Sequence, residues 1–250
     1  AGDSSQQRQL WVKRREEYPA IPLLGTTNAS NPFISPDGEW IAFVQNFQLK
    51  KMPITGGAIT TLADSTGPFG GAWLDDGTLV YVQRNTFNLM RVSEAGGPST
   101  LLRAPEAQGR VLLFPAALPR GRGVLFTSCS NNCLRSDLWV LDLASGDARV
   151  LVPGERQGRY LHSGHVAYVA RDGQVFAAPF DLKALKLTGQ PVPVIQDLAL
   201  QLDDGRAGFA VSDNGTLAYV AASSFAPDLD LVWVNRNGEA SASVTPPARF

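Results

Sequence analysis

Hydrophobic residues along this chain gather in short runs, each stopped by a glycine-bearing turn, and the arrangement returns five times. Pro32-Phe-Ile-Ser-Pro-Asp-Gly-Glu-Trp-Ile-Ala-Phe43, Gly71-Ala-Trp-Leu-Asp-Asp-Gly-Thr-Leu-Val-Tyr81, the stretch from Phe114 to Phe126, the stretch from Tyr160 to Tyr168, and Phe209-Ala-Val-Ser-Asp-Asn-Gly-Thr-Leu-Ala-Tyr219 each read as strand, tight turn, strand. Asp-Gly and Asn-Gly suit such turns because both central residues of a type I′ turn need positive φ. The third and fourth units keep the hairpin on glycine alone, at Arg120-Gly-Arg-Gly123 and Ser163-Gly164. A third strand and a glycine turn follow each hairpin, as in Asp137-Leu-Trp-Val-Leu-Asp-Leu-Ala-Ser-Gly146, and then a short fourth strand such as Val192 to Ile195.

No window keeps a helical apolar stripe clear of glycine and proline. The best helical candidate, Leu182 to Leu187, is read as an excursion with at most one helical turn. Four strands per repeat define a propeller blade. The expected fold is therefore an all-β propeller of four-stranded antiparallel blades, one domain over 1–250, with blades at 31–63, 70–103, 113–153, 158–197 and 207–245. Residues 10–24 match only the outer half of a sixth blade. Its inner strands are expected from chain outside 1–250, or its covering from a second molecule, because natural sheets do not leave long apolar edges bare. Trp11, Trp139 and Trp233 hold matching places in third strands and are expected to pack between blades.

At 250 residues and 44% hydrophobic content the chain is long enough for one large core, and its 24 glycines and 17 prolines are dispersed as turns. Charged residues make up 18% and the formal net charge is −1, so nucleic acid is not an expected partner. The basic run Lys13-Arg-Arg15 is cancelled by Glu16 and Glu17 and reads as a solvated strand end. No apolar run is long enough to span a membrane.

The only cysteines, Cys129 and Cys133, share a polar loop. They can close a small disulfide in an oxidising compartment, remain surface thiols, or give half a metal site. A tetrahedral site would need two more ligands, and His162 and His165 lie in a different repeat. The disulfide is the expectation, and with it an extracytoplasmic location.

The Ser35-Pro-Asp-Gly38 hairpin with its following Ile-Ala-Phe resembles the repeat of TolB-like, WD40-like bacterial propellers. Arg159-Tyr-Leu-His-Ser-Gly-His-Val-Ala-Tyr168, with Val175-Phe-Ala-Ala-Pro-Phe-Asp-Leu182 and Leu187-Thr-Gly-Gln-Pro-Val-Pro193, resembles a narrower group. That group is the extracytoplasmic propeller region of bacterial serine/threonine receptor kinases, in which a kinase domain and a membrane helix lie upstream. The resemblance implies a sensing or scaffolding portion of a longer polypeptide. The chain itself carries no glycine-rich loop with a lysine strand, no His-Arg-Asp loop and no Asp-Phe-Gly.

Catalysis is not expected. There is no Gly-x-Ser-x-Gly elbow, and both histidines flank a hairpin turn where a structural role suits them. A lactonase-type propeller would need oxygen ligands for an axial ion at the starts of the innermost strands. Those starts read Asn31-Pro, Gly70-Gly, Leu113-Phe, Arg159-Tyr and Arg206-Ala, with one amide and no carboxylate, so neither metal nor cofactor is expected. A propeller gating a fused prolyl-oligopeptidase-like peptidase is the other enzyme-linked alternative. The remaining reading is a platform for a protein or small-molecule ligand, built on the loops that lead into the inner strands. Its candidate residues are Asn28, Asn31, Phe69, Arg159, Tyr160, Asp203, Asp204 and Arg206.

Overall fold

A computed structural model describes residues 8–13, 19–102, 104, 107, 109–130, 133, 135–200, 206–212, 216–222, 232–234 and 240–243, the last two stretches as backbone. Asp203, Asp204 and the side chain of Trp233 lie outside the described residues.

Every named sheet pairing is antiparallel. Strands β1 (Trp11–Val12) and β2 (Ile21–Pro22) form a two-stranded ladder. The first four-stranded sheet runs β3 (Ser30–Ile34), β4 (Trp40–Gln45), β5 (Gln48–Pro53), β6 (Thr60–Ala63) in spatial order. The second holds β7 (Thr66–Trp73), β8 (Thr78–Gln83), β9 (Leu89–Ser93) and β10 (Thr100–Leu101). The third holds β11 (Val111–Ala117), β12 (Gly123–Cys129), β13 (Ser136–Asp142) and β14 (Ala148–Val152).

In the fourth, β15 (Arg156–Leu161), β16 (His165–Val169) and β17 (Val175–Asp181) are followed by two strands that both pair with β17. These are β18 (Lys186–Leu187) and β19 (Val192–Ile195). Two hairpins complete the described chain, β20 (Phe209–Val211) with β21 (Leu217–Tyr219), and β22 (Val232–Val234) with β23 (Ala240–Ser243).

The core is divided among the seams. Ala42, Leu49 and Leu62 of the first sheet meet Trp73, Leu79 and Tyr81 of the second. Val80, Val82 and Leu89 of the second meet Val124, Phe126 and Trp139 of the third. Leu125, Leu138 and Val140 meet Val166, Tyr168 and Phe180, and Ala167, Val169 and Val175 meet Ala207 and Phe209. This layout explains why the second strand of each hairpin is apolar without alternation. Both faces of β12 press against a neighbouring blade, and all seven of its residues are buried. Burial on both faces removes the polar-out half of the usual strand pattern.

Two expectations change. Trp139 packs in its seam, stacked at a tilt on Phe126, but Trp11 is 58% exposed on the two-stranded ladder, where Leu10 and Val12 supply the contact with the first sheet instead. The excursion at 182–187 is a hairpin turn rather than a helical one. The Asp181 carboxylate accepts the Lys183 and Ala184 amides, Leu185 takes a left-handed φ of 53° and buries its side chain, and β18 pairs back on β17.

The innermost strands carry a feature that the hydrophobic pattern hides. Each of β3, β7, β11 and β15 has a register shift against its partner. Within each shift sits one residue with positive φ, at Asn31 (55°), Gly70 (77°), Phe114 (53°) and Gln157 (48°). A bulge of this kind bends the strand and increases its local twist. Three of the four positions hold side chains in a backbone region that L-residues visit at a cost of order 1 kcal/mol or more. The second and fourth inner strands accordingly begin at Thr66 and Arg156, ahead of the starts at 70 and 158 that the pattern suggested.

Candidate functional site

The four bulges line one cavity of about 470 Å³ at the axis of the blades. Asn31, Gly70, Phe114 and Gln157 all contribute to its wall, together with Phe33, Phe69, Arg159, Arg206, Phe209 and Tyr219. The bulge is what makes this possible. It turns one residue per inner strand out of the ladder and toward the axis, while the residues that follow return to the seams.

Polar bridges tie the wall across the axis. Arg206 donates from Nη1 to the Asn31 side-chain oxygen (2.9 Å) and from Nη2 to the Pro68 carbonyl. Asn31 Nδ2 donates to that same carbonyl at 2.6 Å. The Arg206 guanidinium also stands 6.0 Å from the Phe114 ring centroid, within cation–π range. On the other side, the buried Gln157 amide exchanges two hydrogen bonds with the Ala207 backbone, donating to its carbonyl at 2.9 Å and accepting from its N–H at 2.8 Å. The Gln157 backbone N–H donates to Thr127 Oγ1 at 2.9 Å. The start of the fifth repeat is thus clamped to the first, second and fourth blades.

Arg159 differs from Arg206. It lies in β15, two residues beyond the bulge, opposite Ala167, and its side chain lines the cavity without a hydrogen bond or ion pair to any described residue. It is half-buried, and loss of hydration pushes its pKa down from the ordinary arginine value. A guanidinium remains charged through such a shift. The wall therefore carries two cationic side chains and two amides, and no carboxylate among the described residues. The rest of it is apolar or glycine apart from Tyr219, with Phe69 tilted against Phe87 at a centroid distance of 5.6 Å.

Four of the eight residues singled out in the sequence meet here: Asn31, Phe69, Arg159 and Arg206. Two do not. Asn28 lies in an exposed turn with φ 61°, its N–H donating to the Arg8 carbonyl. Tyr160 faces away from the cavity because successive strand residues alternate, and its ring meets Phe180 edge-on in the seam with the third sheet. Asp203 and Asp204 lie outside the described residues. Sequence reasoning missed Gln157, so the inner strand starts hold two amides where one was expected. A usable signal existed. Asn31, Gly70, Phe114 and Gln157 each stand seven residues ahead of a hairpin glycine, at Gly38, Gly77, Gly121 and Gly164.

Elsewhere, Cys129 and Cys133 are bonded through sulfur with Cα atoms 4.9 Å apart, at the end of β12. No group of three or more histidine, cysteine or carboxylate side chains that could hold a metal occurs among the described residues. No described helix is long and apolar enough to cross a membrane.

Blades of antiparallel strands, apolar clusters in the seams between them and inner strands gathered on an axial cavity define a β-propeller, and its fold is TolB-like. TolB from Acinetobacter baumannii superimposes with a TM-score of 0.60 at 13% identity, over 86% of this chain and 57% of that one. A putative TolB from Agrobacterium tumefaciens gives 0.54 at 20% identity, over 70% and 68%. A calcium-binding protein, regucalcin, from the same species gives 0.57 at 14% identity, over 86% and 72%. At such identities the likeness defines the fold alone. No protein-family model and no curated protein matches the sequence.

Proposed function

We propose that this propeller is a non-catalytic binding platform, the ligand- or protein-recognising part of a longer extracytoplasmic bacterial protein. The observation that carries the reading is the convergence of four separately predicted residues, Asn31, Phe69, Arg159 and Arg206, on a single braced cavity. A concave, mostly apolar site with a few fixed polar groups, within the usual few-hundred-Å³ range, is the common form of a small-molecule site. Bracing favours recognition, because polar groups already held by Asn31, Pro68 and Ala207 lose little freedom when a ligand arrives. The sensor role rests on the resemblance of the fourth repeat to receptor-kinase propellers, and the location on the cysteine pair.

The test is a pull-down from bacterial envelope extract with the wild-type chain, set beside a Phe69→Ser, Tyr219→Ser double variant at the cavity mouth. Partners captured by the wild type should be lost or strongly reduced with the variant. Undiminished capture of every partner would remove the cavity as the binding site.

A further inference from the structure

Resting on that reading, the cavity has a chemistry that narrows its ligand. Two arginines line it, Arg206 held by Asn31 and Pro68 and Arg159 by no described residue. Two other half-buried arginines are each paired with a carboxylate from within the fold. Arg110, beside a separate recess of about 300 Å³, donates to Ser128 and pairs with Asp137 at 3.2 Å. Arg122 is held by Asp142. Arg159 has no such partner among the described residues; it is half-buried and lines the cavity. A guanidinium in an apolar wall favours an anion that can reach it through the opening.

We propose that the axial cavity is a receptor site for a carboxylate ligand with an apolar body. Arg159 supplies the charge-assisted hydrogen bonds to the carboxylate. Arg206, bonded to Asn31 and Pro68, holds its part of the cavity wall in place. Phe33, Phe69 and Phe114 form the wall against which the apolar part lies. A volume of about 470 Å³ admits a small acid or the last residue or two of a peptide, not a folded domain. A carboxylate fits better than a phosphate dianion, because only Arg159 lacks a structural partner to give up, and a planar guanidinium matches a planar carboxylate bidentately. The same chemistry comes from two sources, a free organic acid or the C-terminal end of a peptide.

The experiment is a titration of the intact chain, followed by calorimetry or by amide chemical shifts, with four probes. Phenylacetate and N-acetylphenylalanine carry the carboxylate, and phenylacetamide and N-acetylphenylalanine amide are their neutral counterparts. Each acid should bind at least about tenfold more tightly than its amide, a difference of about 1.4 kcal/mol. Arg159→Gln, its folding checked by circular dichroism and melting temperature, should reduce the acid to the affinity of the amide and leave amide binding unchanged. Tighter binding of phenylacetate would assign the site to free acids, and tighter binding of N-acetylphenylalanine to peptide ends. Acids and amides binding alike would overturn the carboxylate assignment while leaving a cavity that binds ligands. Absence of acid binding up to about 10 mM, near the weak limit of specific association, would overturn it too. The acid-to-amide ratio of the wild type needs no variant, so a poorly folding Arg159→Gln protein does not rescue the proposal.

Discussion

At the scale of single residues, the inner-strand bulges concentrate both strain and purpose. Gln157 is 3% exposed, and its side chain is the sole described partner of the buried Ala207 N–H and carbonyl. Gln157→Ala should therefore cost about 2–3 kcal/mol, since two buried backbone groups lose their partners. Urea denaturation monitored by tryptophan fluorescence would show it as a lower midpoint, and an unchanged midpoint would mean that water replaces the amide without loss. Gly71 illustrates a different constraint. A Cβ there would collide with the Phe33 ring of the first blade and lie 3.1 Å from the Val80 carbonyl, which the β7–β8 pairing holds in place, so the ring would have to shift. Gly71→Ala should destabilise by about 1–3 kcal/mol through overpacking, read in the same denaturation experiment. These residues mark the limit of what hydrophobic patterning reveals. It reports which residues avoid water, and the bulge position is instead fixed by a seven-residue distance to the turn glycine. Gln157, polar and adjacent to Gly158, therefore reads as linker, while Arg159 is legible because it leads into an inner strand.

At the scale of elements, hairpins were legible because their turns need particular residues, and the connections between blades were not. Arg122 contributes to the link from the third blade to the fourth, as does Arg149, which donates to the Ala184 and Leu185 carbonyls. Arg122 donates to Asp142 within its own blade and to the Lys183 carbonyl of the next at 3.0 Å, where the 182–187 segment turns back. The Arg122 hydrogen bond, helped by the Ala144 amide, holds the Asp142 carboxyl below its ordinary pKa. A depressed folded-state pKa means that the stabilisation is complete above the unfolded value, near 3.8, and is lost as pH falls through the folded value. Asp142→Asn should lower stability at pH 7 by about 1 kcal/mol, a figure reduced for partial solvent screening, and the gap to wild type should close as pH falls from 3.8 through the lowered folded value. Melting curves at several pH values check both the size and the sign. The cysteine pair stands at the end of β12, where the polar loop to β13 begins. Alkylation of freshly purified, unreduced protein followed by mass measurement should show no modified cysteine, and two alkylated thiols would refute the bridge and weaken the extracytoplasmic assignment. A ring this small constrains little unfolded-state entropy, so reduction should shift stability by no more than about 2 kcal/mol.

At the scale of the whole molecule, a propeller's stability is a sum of seams, and they are not alike. The middle seams bring together Phe126 and Trp139, or Tyr168 and Phe180, with strands buried on both faces. Among the described residues, the seam that joins the fifth repeat to the fourth sets Ala207 and Phe209 against Ala167, Val169 and Val175. The fold class could be read from the repeat, since a blade cannot bury its faces alone and five copies imply stacking around an axis. The way the fifth repeat is held could not be read, because it depends on side chains far apart in sequence: Arg206 reaches Asn31 and Pro68, and Gln157 reaches Ala207. The Arg206 bridges should therefore govern local opening more than global unfolding. In native-state hydrogen exchange, Arg206→Met should speed exchange about tenfold at the Ala199, Gly208 and Val220 amides, whose bonds knit the fifth repeat together. The Val124, Leu125 and Phe126 amides, deep in β12, should be unaffected by the substitution. Equal acceleration in both regions would show that the ring opens as one cooperative unit. Acceleration confined to the fifth repeat would instead make Arg206 the latch of the cavity, so that a ligand touching it tightens the blade that was last to close.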